Sequence, residues 1–246
     1  MKPASTGFSE RHTMAKHIGI VACSAEGAAL CYRTICMEAP REMGEHRHPE
    51  ITVHTHPLSE YMIHIRSGAW DKVADLMLSS TEKLHRAGAD FAVCPDNTIH
   101  EAFPLVESKS PIPWLHIARS VAEEAGKRGF KRLAVLGTKY LMTGPVYSDA
   151  LGSFGIGYEI PDPDDRERID TVIFAELVNA LFTERSRLYL NEVMARLKAR
   201  GCDAAVLGCT EIPLIVDPED TPLPTLDSTR ILARAALRMA LEKGTP

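Results

Sequence analysis

The chain repeats itself, and this constrains its fold more than any other feature. Laying "RAGADFAVCPDNT" over "ARGCDAAVLGCTE" at an offset of 113 pairs Gly88 with Gly201, Asp90 with Asp203, Ala92 with Ala205 and Val93 with Val206. The segments before them correspond too, Leu84 with Leu197. A second match, "IVACS" over "AVLGT" at an offset of 114, pairs Ser24 with Thr138. Two strand ends at nearly one offset predict two similar units, residues 17–115 and 116–224. Residues 225–246 are expected to return to the first unit as a closing helix, and residues 1–16 read as a flexible leader.

Within each unit, short apolar runs alternate with longer helical patterns. Strands are predicted at 17–22, 50–56, 90–94, 113–117, 132–137, 157–160, 203–208 and 223–226. Helices are predicted at 25–38, 68–87, 98–107, 118–128, 145–153, 165–182, 184–200 and 228–242. In 68–87, Trp70, Val73, Ala74, Met77 and Leu84 recur at helical spacing with charges between them. Nearly continuous apolar strands separated by helices imply parallel sheets covered on both faces, hence an α/β protein with two pseudo-symmetric parallel-sheet domains.

The repeat also aligns chemistry. Asp96 falls on Cys209 and Asn97 on Thr210, just past equivalent strand ends, where ligands bind in open α/β sheets. Two related units facing across a cleft would present one proton-carrying group each, the arrangement needed to remove a proton from one face of a carbon and deliver one to the other. Backbone amides at the helix starts after Asp96 and Cys209 are expected to stabilise an enolate-like anion. Ser24, Asn97, Thr98, Thr138 and Thr210 supply short polar side chains at the same edge, where they serve equally as helix caps. Cys94 aligns with Leu207 inside the strand and is expected in the core, and Cys23 and Cys202 are expected to matter for stability alone.

Several classes of function find no support. A net charge of -5 and a pI near 6.1 give no electrostatic reason to bind nucleic acid or an anionic membrane. No apolar run approaches the roughly 20 residues of a spanning helix, and the first residues lack a signal peptide's apolar centre, so a cytoplasmic location is expected. No Gly-rich phosphate loop follows any strand. The six cysteines show no metal-site spacing, and His54 and His56 share a strand face without a recognisable third ligand, so no metal is predicted.

The motifs "GCTEIPLI" (208–215), "PDNTIH" (95–100), "GTKYLMTGPVYSDAL" (137–151) and "IFAELVNALF" (173–182) resemble the aspartate/glutamate racemase superfamily. This superfamily includes cofactor-independent amino-acid racemases, hydantoin racemase, maleate isomerase and arylmalonate decarboxylase. The resemblance runs over nearly the whole chain after His17. It implies an active site in the cleft between two domains, no cofactor, a small amino-acid or carboxylate substrate and a homodimer. It makes Cys209 the second catalytic cysteine and puts Asp96 where the first would stand. The basic residue that some members carry near "IFAELVNALF" for a side-chain carboxylate is absent, since Val178 and Asn179 stand there. Arg47 is then the candidate for a distal carboxylate, or else an exposed charge. The leading expectation is racemisation, without pyridoxal phosphate, of aspartate, glutamate or a related small carboxylic acid by Asp96 and Cys209. The alternatives are a decarboxylase or cis-trans isomerase using Cys209 alone, and a non-catalytic acid-binding protein.

Overall fold

The computed structural model describes residues 15–242. Two four-stranded sheets form, each wholly parallel. The first has the order β2-β1-β3-β4, with β1 at Ile18–Ala22, β2 at Ile51–Thr55, β3 at Phe91–Val93 and β4 at Trp114–Leu115. The second has the order β6-β5-β7-β8, with β5 at Arg132–Leu136, β6 at Gly157–Glu159, β7 at Ala204–Leu207 and β8 at Thr225–Asp227. Strand for strand the two orders are the same, which is the structural form of the sequence repeat. Register follows it: Ile20 lies opposite Val93, and Val135 opposite Val206.

The central strands β1, β3 and β7 are buried on both faces, because side chains of a strand alternate between faces and these strands carry no polar side chain. Ile18, Ile20, Phe91 and Val93 pack against the helices Ala25–Glu38 and Ser228–Leu241. Val21, Cys23, Ala92 and Cys94 pack on the other face with Trp70–Arg86. In the second sheet Ala134, Leu136, Ala205 and Leu207 meet Pro163–Ala175 and Glu184–Ala199. Leu133, Val135, Ala204 and Val206 meet Ile117–Lys127 and Val146–Gly152.

Four expected elements differ in detail. Residues 225–246 divide: Thr225–Asp227 pairs with β7 in the second sheet, and only the helix Ser228–Leu241, capped by Asp227, packs on the first. The helix expected over 68–87 begins at Trp70, because Gly68, at φ 68°, ends a preceding helix Leu58–Ser67. That helix buries only Tyr61 and Ile65, one i, i+4 pair and too short a stripe to read as periodic. The helix expected over 165–182 ends at Ala175, where the Asn179 amide donates to the carbonyls of Phe174 and Ala175 (both 3.2 Å) and Ala180 turns away at φ 56°. Residues 98–107 start as a tight 3₁₀ turn, Thr98–Ala102, before Phe103–Glu107. The leader expected over 1–16 lies almost wholly outside the described residues. Among the described residues, no helix is long and apolar enough to cross a membrane.

Candidate active site

The C-terminal ends of the central strands in both sheets open on one cleft that is partly open to solvent. The first unit contributes Cys23, Ser24, Asp96, Asn97 and Thr98 to its floor, and the second contributes Thr138 and the run Gly208–Glu211. Asp96 and Cys209, distant in sequence, thus line the same space from different units. Cys94 is fully buried in the core, its Sγ 3.8 Å from the Asp96 carbonyl.

Four hydroxyls stitch the units together at the cleft. Ser24 Oγ lies 3.2 Å from Thr210 Oγ1, and Thr98 Oγ1 lies 3.0 Å from Thr138 Oγ1. Each pair joins a helix cap of one unit to a residue beside the proton-carrying group of the other. Ser24 accepts from Gly27 N at the start of Ala25–Glu38, and Thr138 from Leu141 N at the start of Lys139–Thr143. Capping and cleft lining are therefore compatible here. The close approach depends on Gly27, where an added Cβ would collide with Thr210 Cγ2 and stand 2.9 Å from Ser24 Oγ.

Asn97 lines the cleft, but its side chain is already committed. It is 2% exposed, its Nδ2 donates to Ser228 Oγ (3.0 Å), and its Oδ1 accepts from Tyr147 (2.8 Å). Arg47 is exposed and does not reach the cleft. It stands on the segment leading into β2, and nothing packs it toward the strand ends. His54 and His56 bond to Ser80 (3.0 Å) and Ser79 (3.2 Å) on the helix that covers them.

The two proton-carrying groups have contrasting settings. Burial, reinforced by the nearby Glu211 carboxyl, raises the Asp96 pKa to about 6. Backbone amides of Ile99 and Thr98 and the Cys23 thiol oppose that rise by bonding to the carboxylate. Cys209 is pushed well above the ordinary thiol range, first by burial and then by Glu211, whose Oε2 accepts from Cys209 Sγ at 2.9 Å. The same Oε2 accepts from Thr210 Oγ1 at 2.6 Å. Near neutral pH the resting pair is an Asp96 carboxylate with a Cys209 thiol. The helix expected to start after Cys209 is the four-residue turn Ile212–Ile215, and the Glu211 carboxyl at its N-cap works against a Cys209 thiolate. After Asp96 the expected free amides are in part spent on Asp96 itself: Thr98 N donates to its Oδ1 at 3.1 Å.

Three residues of the site escaped the sequence reading. Cys23, expected to serve stability alone, lies in the cleft with its thiol against the Asp96 carboxylate. Glu211 sits inside "GCTEIPLI" and aligns with Thr98, but nothing in that string shows that its carboxyl is 4% exposed and turned to the cysteine. His100 donates from Nδ1 to the Asp96 carbonyl (2.7 Å) and accepts from Ile117 N at Nε2 (3.4 Å), so it is neutral and fixes the backbone that carries Asp96. Burial drives its pKa down to about 4, which keeps it so.

The profile of the Asp/Glu/hydantoin racemase family matches residues 18–236. The chain belongs to that family. Its similarity extends to a broad-specificity amino-acid racemase, RacX, of Bacillus subtilis, with 22% identity over 68% of this chain and 72% of that protein. A Yersinia pestis protein assigned as an Asp/Glu racemase superposes with a TM-score of 0.85 at 31% identity, over 92% of this chain and 100% of its own. An aspartate racemase homologue from Pyrococcus horikoshii superposes with a TM-score of 0.80 at 26% identity, over 92% and 100%. Family and fold together make the chain an isomerase of the racemase type.

Proposed function

We propose that the chain racemises a small amino acid by two-base proton transfer between Asp96 and Cys209. The observation that carries this reading is that two proton-carrying side chains, one from each unit and at equivalent strand ends, line one cleft. The Asp96 carboxylate takes the α-proton, and the electron pair left by the C–H bond is delocalised into the α-carboxylate. Cys209 then gives its S–H proton to the opposite face of the carbon. This leaves Asp96 protonated and Cys209 a thiolate, the state that starts the reverse reaction. The hydroxyls of Ser24, Thr98, Thr138 and Thr210 lie where the substrate's α-carboxylate needs donors. Glu211 holds the thiol's proton until it is delivered. A homodimer and a cytoplasmic location belong to the same reading, the first resting on the family resemblance; sedimentation of the purified chain tests it.

The test is incubation with single enantiomers in deuterium oxide. Deuterium at the α-carbon with inversion is the expected result, abolished in Cys209→Ala. Release of carbon dioxide, or binding with neither exchange nor release, would overturn the assignment.

A further inference from the structure

The cleft's floor and its side wall have different chemistry, and the wall bears on the substrate's side chain. Leu58, Met62 and Ile65 face it from the first unit, and Ile173, Phe174 and Val178 from the second. Among the described residues, no lysine, arginine or histidine lines the cleft, while two carboxyl groups, Asp96 and Glu211, already share its floor. A substrate with a carboxylate at the end of its side chain would bring a further acidic group into this space, beyond the α-carboxylate every amino acid carries. It would leave water for an apolar wall with no counter-charge to pair with, which disfavours binding steeply. A hydrocarbon or thioether side chain gains from the same wall, because its apolar surface leaves water.

Two cations, Arg66 and Lys139, stand beside the cleft rather than in it, in a groove that shares Met62, Tyr140 and Phe174 with the cleft wall. Lys139 is already paired with Glu167 (3.1 Å) and Asp170 (4.0 Å), and Arg66 is exposed on the helix Leu58–Ser67. The α-ammonium of an amino acid, in contrast, suits a floor that carries two carboxyl groups and no cation.

From this wall we infer that the substrate is an amino acid with an uncharged, apolar side chain, such as that of leucine or methionine, and that aspartate and glutamate are poor substrates. The inference rests on the racemase reading and names its substrate class. α-Proton exchange in deuterium oxide is measured by NMR for L-leucine, L-methionine, L-aspartate and L-glutamate, using wild type and Val178→Arg. Val178 is 41% exposed, so an arginine there keeps its charge in water while reaching the wall, and thermal melting confirms that the variant is folded. Wild type is expected to exchange leucine or methionine with kcat/KM at least tenfold above aspartate and glutamate, and Val178→Arg to narrow that ratio tenfold or reverse it. If aspartate or glutamate exchanges as fast as the apolar pair in wild type, the inference falls and the racemase reading stands. Loss of that acidic activity in Arg66→Ala would then identify the counter-charge. A Val178→Arg protein that is folded and active but unchanged in its ratio also overturns the inference, because the wall would not be where the side chain lies. If no amino acid exchanges at all, both readings fail together.

Discussion

Asp96 is held in a setting that opposes its own ionisation, and the consequences can be measured. With a pKa of about 6, the carboxylate needed as base is lost as pH falls through that value, so kcat/KM is expected to rise with pH around 6. Because a racemase has an overall equilibrium constant of one, both directions must share the profile, and only kcat and KM separately can differ between enantiomers. The Cys23 thiol favours the anion, so Cys23→Ala should move this rise to higher pH; a pH–rate profile identical to wild type would remove Cys23 from the site. Stability carries the same signature. Folded, the group titrates near 6; unfolded, it titrates at roughly 3.9, so the native state binds the extra proton between those values and loses stability as pH rises through them. Asp96→Asn should therefore abolish turnover yet stabilise the protein at pH 8 by about 1–2 kcal/mol, after a discount for water in the cleft, with the gain vanishing by about pH 4. Urea titrations at both pH values check this. That Asp96 and Cys209 share one cleft was legible because the repeat put each at a strand end. Cys23 stands at the end of β1 between Ala22 and Ser24, where an apolar thiol reads equally as the last core residue of the strand. Glu211 and Asn97 show the limit of such reading, since sequence gives a residue's place along a strand but not which way its side chain turns or what it meets.

At the scale of elements, what matters is how closely the helix Ala25–Glu38 approaches the other unit. Gly27 lies in its first turn, where any Cβ would strike Thr210 Cγ2. Gly27→Ala is expected to cost about 1–3 kcal/mol by forcing the helix away, and to lower kcat through the displaced Ser24 and Thr210. Thr210→Ser deletes the methyl that collides, so the double variant should recover part of both losses; a purely additive double-mutant cycle would show that the contact is not the cause. Gly208 is confined similarly, an added Cβ lying 2.6 Å from Leu141 Cδ2 and 2.8 Å from the Leu136 carbonyl. The strands and longest helices were readable because burial on both faces leaves continuous apolar runs and long amphipathic stripes. The helix Leu58–Ser67 was not, although it carries Leu58, Met62 and Ile65 to the cleft wall. Its consequence for substrate class was hidden with it, and the expectation of an acidic substrate came from resemblance rather than from these residues.

For the whole molecule, the question is whether two sheets with separate cores behave as one body. Besides the paired hydroxyls at the cleft, two features tie them. The helix Ser228–Leu241 leaves β8 of the second sheet and buries Leu232, Ala233, Ala236 and Leu237 in the core of the first. A buried chain of hydrogen bonds runs from Tyr147 to Asn97, from Asn97 to Ser228 and from Ser228 Oγ to the Leu207 carbonyl (2.9 Å), crossing between units directly beneath the cleft. The repeat announced two units, but nothing in the repeat foretold this chain, because Tyr147 and Ser228 belong to neither matched segment. Both tryptophans, Trp70 and Trp114, lie in the first unit, so fluorescence follows that unit while far-ultraviolet circular dichroism follows both. In wild type the two urea transitions are expected to coincide, as for a single cooperative body. Tyr147→Phe leaves Asn97 Oδ1 without its donor in a buried place, which should cost about 1–3 kcal/mol and shift both transitions together. Asn97→Ala with Ser228→Ala cuts the chain at its centre, and the fluorescence and dichroism midpoints should then separate. If they stay coincident in that double variant, the returning helix and the paired hydroxyls couple the units without this chain. If they are already separate in wild type, the cleft is built between independently unfolding halves, and its geometry depends on how each docks.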